Sequence, residues 1–178
     1  MSPETHDHAP GAPGGFEHAG VVAEAGPSGA SGSRWAIVVA RFNGRITDGL
    51  FRGAVDTLVE SGARAAHIRA VSVPGAVELP LAARELAETS HYAGIIALGC
   101  VIRGETSHYD YVCSAATDGI MQVQLDHGVP IGFGLITCEN VAQAEARSQT
   151  TPGGRNMGAD AARAALELAG LVRITRSS

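Results

Sequence analysis

The sequence predicts an α/β protein, a three-layer α/β/α sandwich with helices on both faces of a four-stranded parallel sheet. Three observations predict it. Four short apolar runs, 35–42, 66–73, 93–100 and 130–137, recur along the chain, and continuous apolar runs suit strands covered on both faces. The segments between them carry apolar residues at helical spacing. Strand and helix alternate, which calls for parallel pairing through crossover helices.

Residues 1–33 are rich in Gly, Pro, Ala and Ser and almost free of bulky apolar side chains. Such a segment cannot offset the entropy of ordering and reads as a disordered tail ahead of a domain over 34–178. Within it, His6 and His8 are either a metal-binding pair or solvated side chains, and Val21-Val22 is the spot suited to pairing with a sheet edge. "WAIVVARF" opens the regular pattern as the first strand. A helix over 48–62 follows, with Leu50, Phe51, Ala54, Val55, Leu58 and Val59 on one stripe and Gly62 as its stop. "AHIRAVSV" is the second strand. A helix over 76–89 comes next, and its Pro80 must lie in the first turn, where no intrahelical donor is lost. "AGIIALGC" is the third strand, leading to a helix over about 109–127 that carries Val112, Ala116, Gly119, Ile120 and Val123. "PIGFGLIT" is the fourth. Helices over about 140–149 and 159–170 close the chain, the last with an Ala162, Ala165, Leu166, Ala169 stripe ending at Gly170.

With 178 residues the chain suits one domain. Its net charge of −5 argues against a nucleic-acid binder, while local arginines can still hold a phosphorylated partner. No run approaches the ~18 apolar residues of a membrane span. All 13 basic residues are arginine. The absence of lysine excludes a pyridoxal-phosphate Schiff base, a lysine-imine aldolase and a Walker A phosphate loop. Cys100, Cys113 and Cys138 are odd in number and form no C-x-x-C pair, so neither a disulfide framework nor a zinc site is indicated. Reduced cysteines in a cytoplasmic protein are expected, and the N-terminus lacks the basic start and apolar stretch of a signal peptide.

In parallel α/β sheets ligands bind beyond the carboxyl ends of the strands, which directs attention to four loops. Phe42 ends the first strand and either stacks on a flat heterocycle or caps the core. After the second strand, Pro74-Gly75 forces a turn and Gly75 lets backbone approach a ligand. Glu78 then complements a helix dipole or binds hydroxyls. After the third strand, Thr106 or Ser107 can cap the next helix, with Asp110 placed as in a capping box. Free N–H groups around Glu105 and Thr106 would suit a phosphate. His108 stands beside them; alone it would read as a structural histidine at a helix start, but beside a phosphate cradle it reads as an imidazole able to give and take protons near neutral pH. After the fourth strand, Arg147 is either a phosphate clamp or a solvated arginine, and Phe133 is a second aromatic within that strand.

"RFN", "VPGAVELP", "ALGCVIRGETSHYDYV" and "PIGFGLITCEN", in this order and spacing, resemble the lumazine synthase family from Arg34 to Leu171. The resemblance implies a flavodoxin-like fold and the penultimate step of riboflavin synthesis. In that step 5-amino-6-(D-ribitylamino)uracil condenses with L-3,4-dihydroxy-2-butanone 4-phosphate, giving 6,7-dimethyl-8-ribityllumazine. It implies no metal and no organic cofactor. By position, Phe42 would stack on the pyrimidine, and Ala76, Val77 and Glu78 would hold the ribityl chain. Cys100, Val101 and Ile102 would line the pyrimidine edge, Glu105 and Thr106 would bind phosphate, and His108 would transfer protons. Phe133 and Arg147 resemble positions that reach into a neighbouring subunit's site, which implies a homo-oligomer with shared active sites. The family forms pentamers, some of which build icosahedral shells. Here "SQTTPGGRNMG" is a little longer than in shell formers, so a free homopentamer is expected, with riboflavin synthase as a further candidate partner. One departure stands out: Met157 occupies a position where many members carry lysine, leaving Arg155 to supply the charge. Two competing readings are a non-catalytic flavin- or lumazine-binding shell protein and a riboflavin synthase of the type found on this fold. His108 and Arg147 speak against the shell protein and Met157 speaks for it.

Overall fold

Trp35–Ala40 is buried along nearly its whole length because it runs through the middle of a sheet. The computed structural model describes residues 29–177 together with Glu17–His18 and Val21–Val22. The last two segments are β1 and β2, an antiparallel pair in which Glu17 faces Val22 and His18 faces Val21. Val21-Val22 therefore pairs with its own neighbour in the chain, not with the edge of the main sheet. The remainder of the proposed tail up to residue 28, including His6 and His8, lies outside the described residues. Ala30 is fully buried in the core and its N–H donates to the Ser61 carbonyl at 2.9 Å.

The main elements follow in alternation: β3 (Trp35–Ala40), α1 (Gly44–Glu60), β4 (Ile68–Val73), α2 (Leu79–Glu88), β5 (Gly94–Ile102), α3 (His108–His127), β6 (Ile131–Cys138), α4 (Val141–Glu145) and α5 (Met157–Ser177). The four-stranded sheet has the order β4-β3-β5-β6 and every pairing is parallel. The period of two along each strand divides the core. Trp35, Ile37, Ile96 and Leu98 pack with Leu50, Leu58 and Leu166 on the α1/α5 face. Ala36, Val38, Ile95 and Ala97 pack with Leu79, Ile120 and Val123 on the α2/α3 face. Helices thus cover both faces, as the continuous apolar runs require.

Boundaries shift where tertiary contacts intervene. Pro80 sits in the first turn of α2, after a short 3₁₀ turn over Ala76–Glu78. The helix expected over 140–149 stops at Glu145. The following chain instead makes a loop closed by an antiparallel bridge between Ser148 and Asn156. The last helix starts earlier and runs further than its apolar stripe, over Met157–Ser177. It crosses α1 closely, because a methyl on Gly158 would run into the Leu50 carbonyl and one on Gly53 into the Asn156 side chain.

Candidate active site

The sheet order reverses direction between β3 and β5. From β3 the chain moves outward to β4; from β5 it moves the other way to β6. A crevice opens at such a switch point, beyond the carboxyl ends of the strands. Here it is a cleft of about 510 Å³ lined by the loops after β3 and β4, by the end of β5 and by the start of α3. Asn43 bridges its floor: the side-chain amide donates to the Cys100 carbonyl at 2.9 Å, from a residue in left-handed backbone conformation (φ 57°).

Nine of the residues singled out in the sequence line this cleft: Phe42, Gly75, Ala76, Val77, Glu78, Cys100, Val101, Ile102 and His108. Phe42 is 71% exposed, so in this chain the ring does not cap the core. It lies against Gly75, where an added Cβ would stand 3.4 Å from the Phe42 ring. Glu78 does close the turn, since its Oε2 accepts from the Gly75 N–H at 2.8 Å. The carboxylate keeps its other oxygen for a further donor. Burial, aided by neighbouring Cys138, pushes the Cys100 thiol up to about 12. It is therefore a packed wall of the cleft, without the thiolate a nucleophile needs.

The loop from β5 to α3 differs from the expected capping pattern. Ser107 occupies the N-cap position but keeps helical backbone angles and makes no side-chain cap bond. Thr106 Oγ1 accepts from the His108 N–H at 3.4 Å instead. Asp110 does not turn back to the loop because its carboxylate is taken by Arg103, at 3.2 and 3.0 Å. Among the described residues no group accepts from the Glu105 or Thr106 N–H, and both residues are exposed beside the cleft.

Phe133 and Arg147 stand apart. Phe133 pairs with Ala97, three residues before Cys100, and so lies about 10 Å back along the sheet. It is 41% exposed on β6, the outer strand. Arg147 follows α4, where its guanidinium donates to the Gln143 carbonyl at 2.9 Å. Met157 is half-buried and packs on the core, and Arg155 is exposed outside the cleft. Sequence reasoning passed over Asn43 and Val112 as lining residues, although an Asn before a Gly signals the left-handed turn that Asn43 makes.

The cleft combines an exposed aromatic face, a carboxylate with a free oxygen, unengaged backbone N–H groups and an exposed imidazole. That set suits a flat polar ligand with a hydroxylated arm next to an anionic one. Residues 32–173 match the family model described as 6,7-dimethyl-8-ribityllumazine synthase. Among curated relatives, proteins named 6,7-dimethyl-8-ribityllumazine synthase from Desulfotalea psychrophila, Salinibacter ruber and Desulfovibrio desulfuricans are 50%, 49% and 47% identical. These matches cover 80%, 79% and 80% of this chain and 91%, 89% and 90% of the respective relatives. A match of this extent across the whole sheet and its cleft places the chain in the 6,7-dimethyl-8-ribityllumazine synthase family.

Proposed function

We propose that the protein is a transferase that condenses 5-amino-6-(D-ribitylamino)uracil with L-3,4-dihydroxy-2-butanone 4-phosphate. The products are 6,7-dimethyl-8-(D-ribityl)lumazine, phosphate and water, and the reaction is the penultimate step of riboflavin synthesis. The observation that carries this reading is the cleft itself: an aromatic ring, a carboxylate and an imidazole at a helix start converge there in a chain of this family.

Each lining group has a part. The Phe42 ring stacks on the pyrimidine. Ala76, Val77 and Glu78 hold the ribityl chain, with the Glu78 oxygen not bound to Gly75 accepting from a hydroxyl. Cys100, Val101 and Ile102 bound the pyrimidine edge. The Glu105 and Thr106 backbone N–H groups take the phosphate, which the positive end of α3 favours. His108 gives and takes the protons of imine formation, phosphate loss, ring closure and dehydration. Because each step joins groups already bound, positioning supplies much of the rate.

Phe133 and Arg147 act in the cleft of a neighbouring subunit. Their absence from the lining of their own cleft and the exposure of Phe133 support this, as do exposed Tyr111, Met121 and Leu125 on α3. A contact of this kind is heterologous and must close into a ring, which we take to be a pentamer without a shell. A cytoplasmic setting fits three free cysteines. Association with a riboflavin synthase is a further expectation.

The test is to supply both substrates and follow lumazine absorbance. A rate above the uncatalysed one is expected; riboflavin binding without turnover would favour the non-catalytic reading. Light scattering at neutral pH tests the assembly: a pentamer mass is expected, a shell mass rejects the free pentamer, and a monomer rejects shared sites.

A further inference from the structure

We propose that Arg103 is a positioning residue that ties the first turn of α3 to the end of β6 and so holds the 104–107 loop and the His108 imidazole against the cleft. The inference rests on the catalytic reading above and adds a residue that does not line the cleft.

Arg103 secures the loop at both ends. Its backbone N–H donates to the Cys138 carbonyl at 2.9 Å, extending the β5/β6 ladder by one residue. Its side chain then reaches across the loop. The two terminal nitrogens take both oxygens of Asp110 at 3.2 and 3.0 Å. Nε meets the Glu139 carboxylate at 3.0 Å, beyond the end of β6. The guanidinium also lies 4.0 Å from the centre of the Tyr109 ring. One planar group thus engages two carboxylates and an aromatic face, which only an arginine fork can do.

The intervening Gly104–Ser107 has little else to hold it. All four residues are exposed, Ser107 makes no side-chain cap bond, and its carbonyl accepts from the Asp110 N–H at 3.0 Å, a bond to the same tied turn. Tyr109 and Asp110 directly follow His108, so a shift of this first turn moves the imidazole with it. The loop amides proposed for the phosphate would move too. The pyrimidine contacts, on the ends of β3, β4 and β5, would not.

R103M keeps much of the stem and removes the fork. Steady-state kinetics should show kcat lower and KM for the butanone phosphate higher. Their ratio should fall roughly 10-fold or more, below the ~10²-fold that an ångström of misplacement can cost. KM for the ribitylaminouracil should stay as in the parent. R103K should recover part of the loss. D110N should act in the same direction, and R103M/D110N should be no worse than the weaker single variant, since both cut the same tie. Hydrogen–deuterium exchange gives a readout independent of turnover: the hydrogen-bonded amides of His108, Asp110 and the next turn of α3 should exchange faster in R103M while the sheet stays protected. Parent-like kinetics in R103M, equal KM rises for both substrates, additive losses in the double variant, or unchanged exchange would each overturn the proposal. If the parent protein shows no turnover, the catalytic reading fails, while the exchange experiment still decides the clamp. If R103M does not fold, D110N and E139Q each cut one arm and take its place under the same outcomes.

Discussion

Asn156→Ala should destabilise the protein far more than a substitution in a loop usually does. Asn156 is 8% exposed and makes four hydrogen bonds with one side chain. Its Nδ2 donates to the carbonyls of Gly49 and Gln149 at 2.9 and 3.0 Å. Its Oδ1 accepts from the N–H groups of Gly158 and Ala159 at 2.9 and 3.1 Å, capping α5. Only this orientation of the amide satisfies all four partners, because two are donors and two are acceptors. Loss of a cap costs about 1–2 kcal/mol, and each of the other two bonds contributes about 1 kcal/mol net. The sum is about 3–4 kcal/mol, equivalent to a fall in Tm of roughly 6–16 °C for a chain of this size. Asn156→Asp sharpens the test. Aspartate caps helices as well as asparagine does, but it would set an oxygen against two carbonyls. It should therefore be about as damaging as alanine. Thermal and urea unfolding followed by circular dichroism, at one fixed protein concentration, measures both. A loss below about 1 kcal/mol in the alanine variant, or parent-like stability in the aspartate variant, would refute the four-bond account. Activity should suffer as well, since the Met157 N–H donates to the Arg147 carbonyl at 2.9 Å, so this corner also positions Arg147.

Other expectations concern the cleft and the thiols. His108→Ala should lower kcat about 10²-fold, at the lower end for a general acid–base group, with KM values little changed; unchanged turnover at saturation would remove His108 from the proton transfers. Phe42→Ala should weaken riboflavin binding by about 1–3 kcal/mol, the range for stacking on an aromatic ring, and equal affinity by calorimetry would refute a stacking role. Arg147→Ala should raise KM for the butanone phosphate, reflecting roughly 1.5–3 kcal/mol of a charge-assisted bond; equal rises for both substrates would make Arg147 structural. Burial raises the pKa of Cys100, Cys113 and Cys138, that of Cys100 from 9.0 to about 12. The unfolded chain therefore loses these protons first as pH climbs, and stability should decline once pH passes about 9.0 and continue falling toward about 12. Cys100 and Cys138 of the native protein should resist thiol alkylation at pH 8, and rapid labelling of Cys100 there would contradict its burial.

The architecture and most of the cleft were legible because local pattern carries them. A strand buried on both faces must be apolar throughout, and β3 and β5 are. Pro80 has one tolerable place in a helix, and it is found there. Glu78 reaches the Gly75 N–H over three residues, so sequence spacing suffices to bring them together. By itself, then, the sequence determined the alternation of strands and helices, the parallel sheet and the loops where a site would form. Tertiary structure decided what depends on residues far apart in the chain. The neighbouring of β4, β3 and β5 brings Phe42, Glu78 and His108 to one cleft and leaves Phe133 on the outer strand β6. Asp110 looked like a capping residue, yet Arg103 takes it, because a bidentate ion pair outcompetes a local side-chain turn once β5 and α3 are in place. The helix expected over 140–149 ends at Glu145 because Asn156, folded back across the loop, holds the chain against α1 through the Gly49 carbonyl, 107 residues away. Periodicity is a property of neighbours along the chain, whereas these contacts exist only after the layers have closed.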